Sequence, residues 1–189
     1  STLMRSSAAS DVYKRQVEYM RKFHLTDTEY EINRALAEGK NVLAEGAQGS
    51  LLDIDHGTYP FVSSSSTTSG GVCTGLGVAP NTIGHIFGIF KAYSTRVGGG
   101  PFVVELFDET GDTIRHIGNE YGAVTGRNRR CGWLDLVALK YAIMINGVTD
   151  LVMMKGDVLD GFETIKVCTA YTKDGETVTE MPYDTEGWQ

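Results

Sequence analysis

Three arginines crowd into four positions of the run GAVTGRNRRCGWLD, residues 122–135. Arg127, Arg129 and Arg130 stand in an otherwise acidic chain, with 17 Lys+Arg against 24 Asp+Glu and a net charge of -7. A guanidinium presents a planar fork of donors that matches carboxylates and phosphates, so the loop reads as an anion pocket. Gly122 and Gly126 permit close backbone approach, and Thr125 adds a hydroxyl. Alternate arginines, Arg127 and Arg129, could face opposite sides of an extended loop and serve two anions. The plainer reading is a solvated charge run. The flanking glycines and the apolar CGWL that follows favour a site.

Two shorter motifs offer recognition chemistry. In EGAQG, residues 45–49, a glycine-flanked Gln48 follows an apolar stretch, where open α/β sheets bind ligands. Its amide can read a carbonyl or a ring nitrogen, although an ordinary strand-to-helix turn has the same composition. In KGD, residues 155–157, the Asp157 carboxylate could accept from the N1–H and exocyclic amine of guanine while the Lys155 stem lies along the base. Taken alone, a Lys-x-Asp match is common. Asp53, Asp55 and His56 in DIDHGTYPFV are better explained as turn caps or loop organisers than as a metal site or acid–base pair. His24, His85 and His116 stand alone, and structural roles are expected for them. The sequence has no G-x-x-x-x-G-K phosphate loop.

Several elements would position these residues. Thr26 and Glu29 have capping-box spacing ahead of a helix carrying Tyr30, Ile32, Leu36 and Ala37, with Gly39 as its stop. Val42–Ala44 reads as a short strand leading into the Gln48 loop. SSSSTTSGG, residues 63–71, is either a linker or a hydroxyl-rich ligand loop. Residues 81–94 read as a short helix feeding a strand, and 134–146 as an apolar helix stopped by Gly147. Leu151–Met154 reads as a buried strand and Thr164–Tyr171 as an alternating one, followed by hairpin-turn chemistry at Asp174–Gly175. Helices separating strands predict an α/β fold with a mostly parallel sheet flanked by helices.

With 189 residues and 41% hydrophobic content, the chain can build a real core. Its acidity argues against general nucleic-acid binding. No apolar run has bilayer-spanning length and no secretory signal opens the chain, so no membrane association and a cytoplasmic setting are expected. Cys73, Cys131 and Cys168 are odd in number and widely spaced, which suits a reducing compartment. Residues 1–16 lack clean periodicity and are expected to be a non-native or disordered lead, with part of a helix as the alternative.

VLAEGAQGSLLDIDHGTYPFV (42–62), TTSGGVCTGLG (67–77), KAYSTRVGGGPF (91–102), GNEYGAVTGRNRRCGWLD (118–135) and KGDVLDGFETIKVCTAY (155–171) occur in the order found in adenylosuccinate synthetases. The chain resembles that family over about residues 17–173. The resemblance implies a P-loop-NTPase-like fold and a Mg²⁺-dependent ligase, typically a homodimer, acting in purine biosynthesis. Such an enzyme joins IMP to L-aspartate and hydrolyses GTP. GTP first phosphorylates the base O6, and the aspartate amine then displaces that phosphate to give adenylosuccinate.

By position, the resemblance implies that Gln48, Ser63 and Arg127 face IMP, with Ser63 standing where the family usually has threonine. It places Ala123, Val124, Thr125, Gly126, Arg127, Asn128 and Arg129 in the loop that closes over aspartate. Arg129, Lys155, Gly156 and Asp157 are implied on the GTP side, Gly156 replacing the family's common leucine. Arg130 is expected to be structural or on the surface. The family's Gly-rich phosphate loop, its catalytic aspartate and histidine, and the Mg²⁺ ligands expected with them have no counterpart in this sequence. Residues 17–189 are therefore expected to form the central part of a single domain truncated at both ends, inactive alone. The competing expectation is a freestanding purine-nucleotide-binding or regulatory module.

Overall fold

In the computed structural model, residues 2–124 and 126–182 are described, with the side chains of residues 2–9 left aside. Two compact units emerge, residues 1–43 with 76–78, and residues 44–75 with 79–189.

The first unit holds α1 (Thr2–Met20) and α2 (Thr28–Ala37). Residues 2–16, expected as a non-native or disordered lead with part of a helix as the alternative, are helical, and the stretch has neither glycine nor proline to break a helix. The capping expectation is displaced by one residue. Asp27 occupies the N-cap of α2 without a side-chain capping bond. Thr26 instead donates to Glu31 at 3.0 Å, so it braces the first turn from outside.

The second unit carries the α/β architecture. It contains α4 (Glu109–Ile117), α5 (Leu136–Asn146) and most of α3 (Gly70–Leu76). Its strands are β1 (Phe87–Lys91), β2 (Ser94–Arg96), β3 (Arg130–Gly132), β4 (Leu134–Asp135), β5 (Asp150–Met154), β6 (Val167–Cys168), β7 (Tyr171–Lys173) and β8 (Glu176–Val178). They form four two-stranded pairs rather than one continuous sheet. β1 pairs with β5 and β4 with β6 in parallel, whereas β2–β3 and β7–β8 are antiparallel.

Local chemistry explains the best-formed pieces. Asp135 caps α5 by accepting from Ala138 N at 3.0 Å, and Gly147 ends it in the left-handed region at φ 62°. Asp174 and Gly175, both with positive φ, turn the β7–β8 hairpin as expected.

Three sequence expectations change. Val42–Ala44 forms no strand, because no ladder partner lies beside it among the described residues. β5 is exposed along its whole length, since its apolar run pairs with β1 and no layer among the described residues covers it. Residues 164–171 do not make one strand: β6 joins β4 and β7 joins β8, and one straight segment cannot serve both.

The core gathers Ala92, Tyr93, Ile114, Cys131, Val158 and Leu159, with Leu106, Trp133 and Phe162 against it. Trp133 and Phe162 meet edge to face with centroids 5.7 Å apart. No described helix is long and apolar enough to cross a membrane.

Candidate functional site

β1 and β5 run in parallel and in register, Lys91 opposite Met154, so Lys91 and Lys155 emerge at the same carboxyl end. Open α/β folds bind ligands at such ends. Lys155 takes a left-handed conformation, φ 57°, that turns the chain out of β5 into a short 3₁₀ turn over Gly156–Leu159. Asp157 lies in that turn with its carboxylate exposed.

Both lysines end on Glu120, whose side chain is fully buried. Glu120 Oε1 accepts from Lys91 Nζ at 2.8 Å, from Lys155 Nζ at 3.0 Å and from the Tyr93 hydroxyl at 2.6 Å. Oε2 accepts from the Arg129 guanidinium at 2.7 Å. Burial by itself pushes the Glu120 carboxyl upward, but the hydrogen bonds from Lys91, Tyr93, Arg129 and Lys155 overcome it and hold the group at about 2. The same surroundings act oppositely on Tyr93: burial and the adjacent carboxylate push its phenol well above the usual range. Three cations thus share one acid, which leaves excess positive charge at the strand ends. Gly118 makes room for the cluster, because a Cβ there would lie 2.4 Å from the Tyr93 hydroxyl.

Glu120 also starts the arginine loop. Its backbone carbonyl accepts from Arg129 N at 3.0 Å, and Tyr121 bridges Asn128 in antiparallel fashion. Within the loop, Gly122 N donates to Arg127 O and Gly126 N to Gly122 O, each at 2.8 Å. Arg115 Nε fixes the Arg129 carbonyl at 2.8 Å. The base is therefore clamped while Ala123, Val124, Gly126, Arg127 and Asn128 are exposed at the tip, Val124 at 97%. Thr125 lies outside the described residues. Arg129 turns back to Glu120, and Arg127 stays at the exposed tip.

Arg130 has a different job. Its guanidinium forks onto Glu105, donates to Gly98 O at 3.2 Å and Gly100 O at 2.8 Å, and sits over the Phe102 ring. This is the structural role expected of it.

A second cluster surrounds Gln48 and Ser63. Gln48 is exposed with φ 61°, just before the 3₁₀ turn Ser50–Leu52. Asp53, 1% exposed, accepts from the backbone N–H of Asp55 and His56 on one oxygen, and of Thr67 and Thr68 on the other. Burial opposes its charge, and these four donors nevertheless lower its pKa. Asn146, at the end of α5, adds a bond to Ser50 Oγ and accepts from Ser69 N. The run 63–71 is thus tied to the Gln48 loop rather than free as a linker. Ser63 is half-buried, its N–H on Leu52 O at 2.8 Å and its hydroxyl 2.9 Å from that of Ser65. Asp53 orients neighbouring loops, as the sequence suggested.

Arg129 and Lys155, drawn from separate motifs, meet through Glu120, which sequence reasoning passed over together with Lys91 and Tyr93. A usable signal was present: a single acid at the mouth of an arginine loop is a ready counter-ion. Among the described residues no group of three His, Cys, Asp or Glu side chains is placed to hold a metal. The two buried carboxylates are already filled, Asp53 by backbone donors and Glu120 by cations.

Residues 2–189 match the family model described as adenylosuccinate synthetase. The chain is 66% identical over 172 residues to the adenylosuccinate synthetase of Bacteroides thetaiotaomicron, covering 90% of this chain and 41% of that protein. It is 62% identical over 182 residues to that of Porphyromonas gingivalis, covering 94% and 43%. The solved structure of fully ligated adenylosuccinate synthetase from Plasmodium falciparum superposes with a TM-score of 0.89 at 39% identity, covering 95% of this chain and 44% of that one. The chain thus spans about two-fifths of the length of these relatives.

Proposed function

This chain belongs to the adenylosuccinate synthetase family, and from that premise we propose that it carries substrate-binding parts of an enzyme that ligates IMP to L-aspartate at the expense of GTP. The observation that supports this most directly is the convergence of Arg129 and Lys155 on Glu120 at the carboxyl ends of β1 and β5. Two groups expected on the GTP side are held together where an α/β fold takes ligands.

On this reading Gln48 and Ser63 face the purine and phosphate of IMP from the loops organised by Asp53. Residues 123–129 close over aspartate, with Arg127 at its junction with IMP. Arg129 approaches the GTP phosphates, Lys155 and Gly156 pack against guanine, and Asp157 accepts from its N1–H and amine. Residues 17–189 form a central part of one P-loop-NTPase-like synthetase domain. Family-level Mg²⁺ use, a homodimer and a cytoplasmic setting belong to the same reading.

The test is an exchange. Residues 17–182 replace the matching segment of the Bacteroides thetaiotaomicron synthetase, and adenylosuccinate is measured from IMP, aspartate and GTP. The exchanged enzyme is expected to form product and the chain alone none. A folded exchanged enzyme without activity, or turnover by the isolated chain, overturns the reading.

A further inference from the structure

We propose that Glu120 is a positioning residue for nucleotide use, a single buried carboxylate that sets Arg129 and Lys155 relative to one another. The inference rests on the reading above, which places both residues on the GTP side. Geometry carries it. Arg129 closes the arginine loop and Lys155 leaves β5, so they belong to separate elements. Glu120 reaches both at once, one through each oxygen, at 2.7 and 3.0 Å.

Its other contacts fix the carboxylate in turn. Lys91 bonds Thr95 Oγ1 as well as Glu120, and Lys155 bonds Gly118 O as well as Glu120. The Glu120 backbone is held at both ends, N–H on Arg115 O at 2.9 Å and carbonyl accepting from Arg129 N. The acid therefore has no freedom to follow either cation; the cations are located by it. A glutamine of the same size lacks the charge and exchanges one acceptor for a donor facing a cation, which leaves Lys91, Arg129 and Lys155 to repel one another. Beyond a loss of stability, the expected kinetic consequence falls on nucleotide binding. No part of the IMP side described around Gln48, Asp53 and Ser63 bonds to Glu120.

The exchanged enzyme described above provides the test, with KM read separately for GTP, IMP and aspartate. Glu120→Gln is expected to raise KM for GTP about tenfold or more while KM for IMP moves less than about threefold. Combining it with Lys155→Met should add little beyond the worse single variant, because both remove the same contact. Should Glu120→Gln not fold, Glu120→Asp keeps the charge on a shorter arm and is expected to show the same split, severalfold on GTP alone. A GTP KM within about twofold of the parent, or an equal rise for all substrates, overturns the inference. An unsubstituted exchanged enzyme without activity fails at the earlier step and strikes the family-level reading instead.

Discussion

Lys91 and Lys155, at the ends of two parallel strands, bring their ammonium groups to the same oxygen of Glu120, at 2.8 and 3.0 Å. Two like charges so close are tolerable only while that oxygen is ionised, and Arg129 on the other oxygen strengthens the requirement. The pH behaviour of the fold follows from it.

Glu120 sits at about 2 in the folded protein against an ordinary 4.5. A lowered carboxyl pKa contributes stability that is present above about 4.5 and lost as pH falls toward 2, on the order of 3 kcal/mol in full. Glu120→Gln is expected to be less stable at neutral pH and to lose less on acidification from about pH 5 to 3. Denaturant midpoints across that range measure it. A variant as acid-sensitive as the parent would place the response in other carboxyls.

Arg130 tests the opposite kind of arginine. Arg130→Ala strips the fork from Glu105 and two loop carbonyls, at an expected cost of about 2–3 kcal/mol in thermal or chemical unfolding. Arg130→Lys should recover only part of this, because an ammonium cannot fork. Full recovery by lysine would reduce the contact to simple charge.

Arg127→Leu in the exchanged enzyme is expected to damage aspartate and IMP use, and Asp157→Ala to relax guanine preference. Losing one charge-assisted contact corresponds to about 1.5–3 kcal/mol in each case. Steady-state kinetics with GTP against other nucleoside triphosphates decides the second. Unchanged rejection of the others removes Asp157 from base reading.

Gly156 departs from the family's usual leucine, yet nothing in its surroundings requires glycine. A Cβ there meets only Met153 Cε at 3.7 Å, ordinary contact, and its φ is not positive. Gly156→Ala is expected to raise stability by about 0.4–1 kcal/mol through the unfolded chain. A lower melting temperature would show that the turn needs glycine.

The β1–β5 pair leaves Phe87, Ile89, Leu151 and Met153 exposed, Ile89 at 72%. Apolar strands without cover promote association. Ile89→Lys in the isolated chain is expected to lower binding of a hydrophobic dye and slow aggregation, measured by fluorescence and light scattering. Equal behaviour would direct attention to other exposed apolar residues.

How legible all this was depended on where the controlling force lies. α5 could be read because its limits are local: Asp135 caps it, Gly147 stops it and the residues between are apolar. The β7–β8 turn was legible for the same reason. The N-terminus of α2 was off by one residue because Thr26 and Asp27 are both capping types, and only geometry chooses between them. The exposure of β5 was not legible, since an apolar run records what a strand can bury and not whether a layer covers it. Glu120 was legible only as a counter-ion candidate beside the arginine loop. It is one acid among 24 with no periodicity of its own, and its role depends on partners from three other segments. Arginine-loop motifs pointed to the neighbourhood, and pairing geometry identified its centre.

Gln48 and Lys155, both proposed above to contact ligand, are two of the four non-glycine residues with positive φ among the described residues. An L side chain in that region costs about 1 kcal/mol or more, a cost glycine escapes. Heat selection without a demand for turnover would therefore drift Gln48 toward glycine, whereas Lys155 is held against that drift by its bonds to Glu120 and Gly118. On the proposed reading, the left-handed glutamine is the one of the two whose backbone cost no bond within the fold offsets among the described residues.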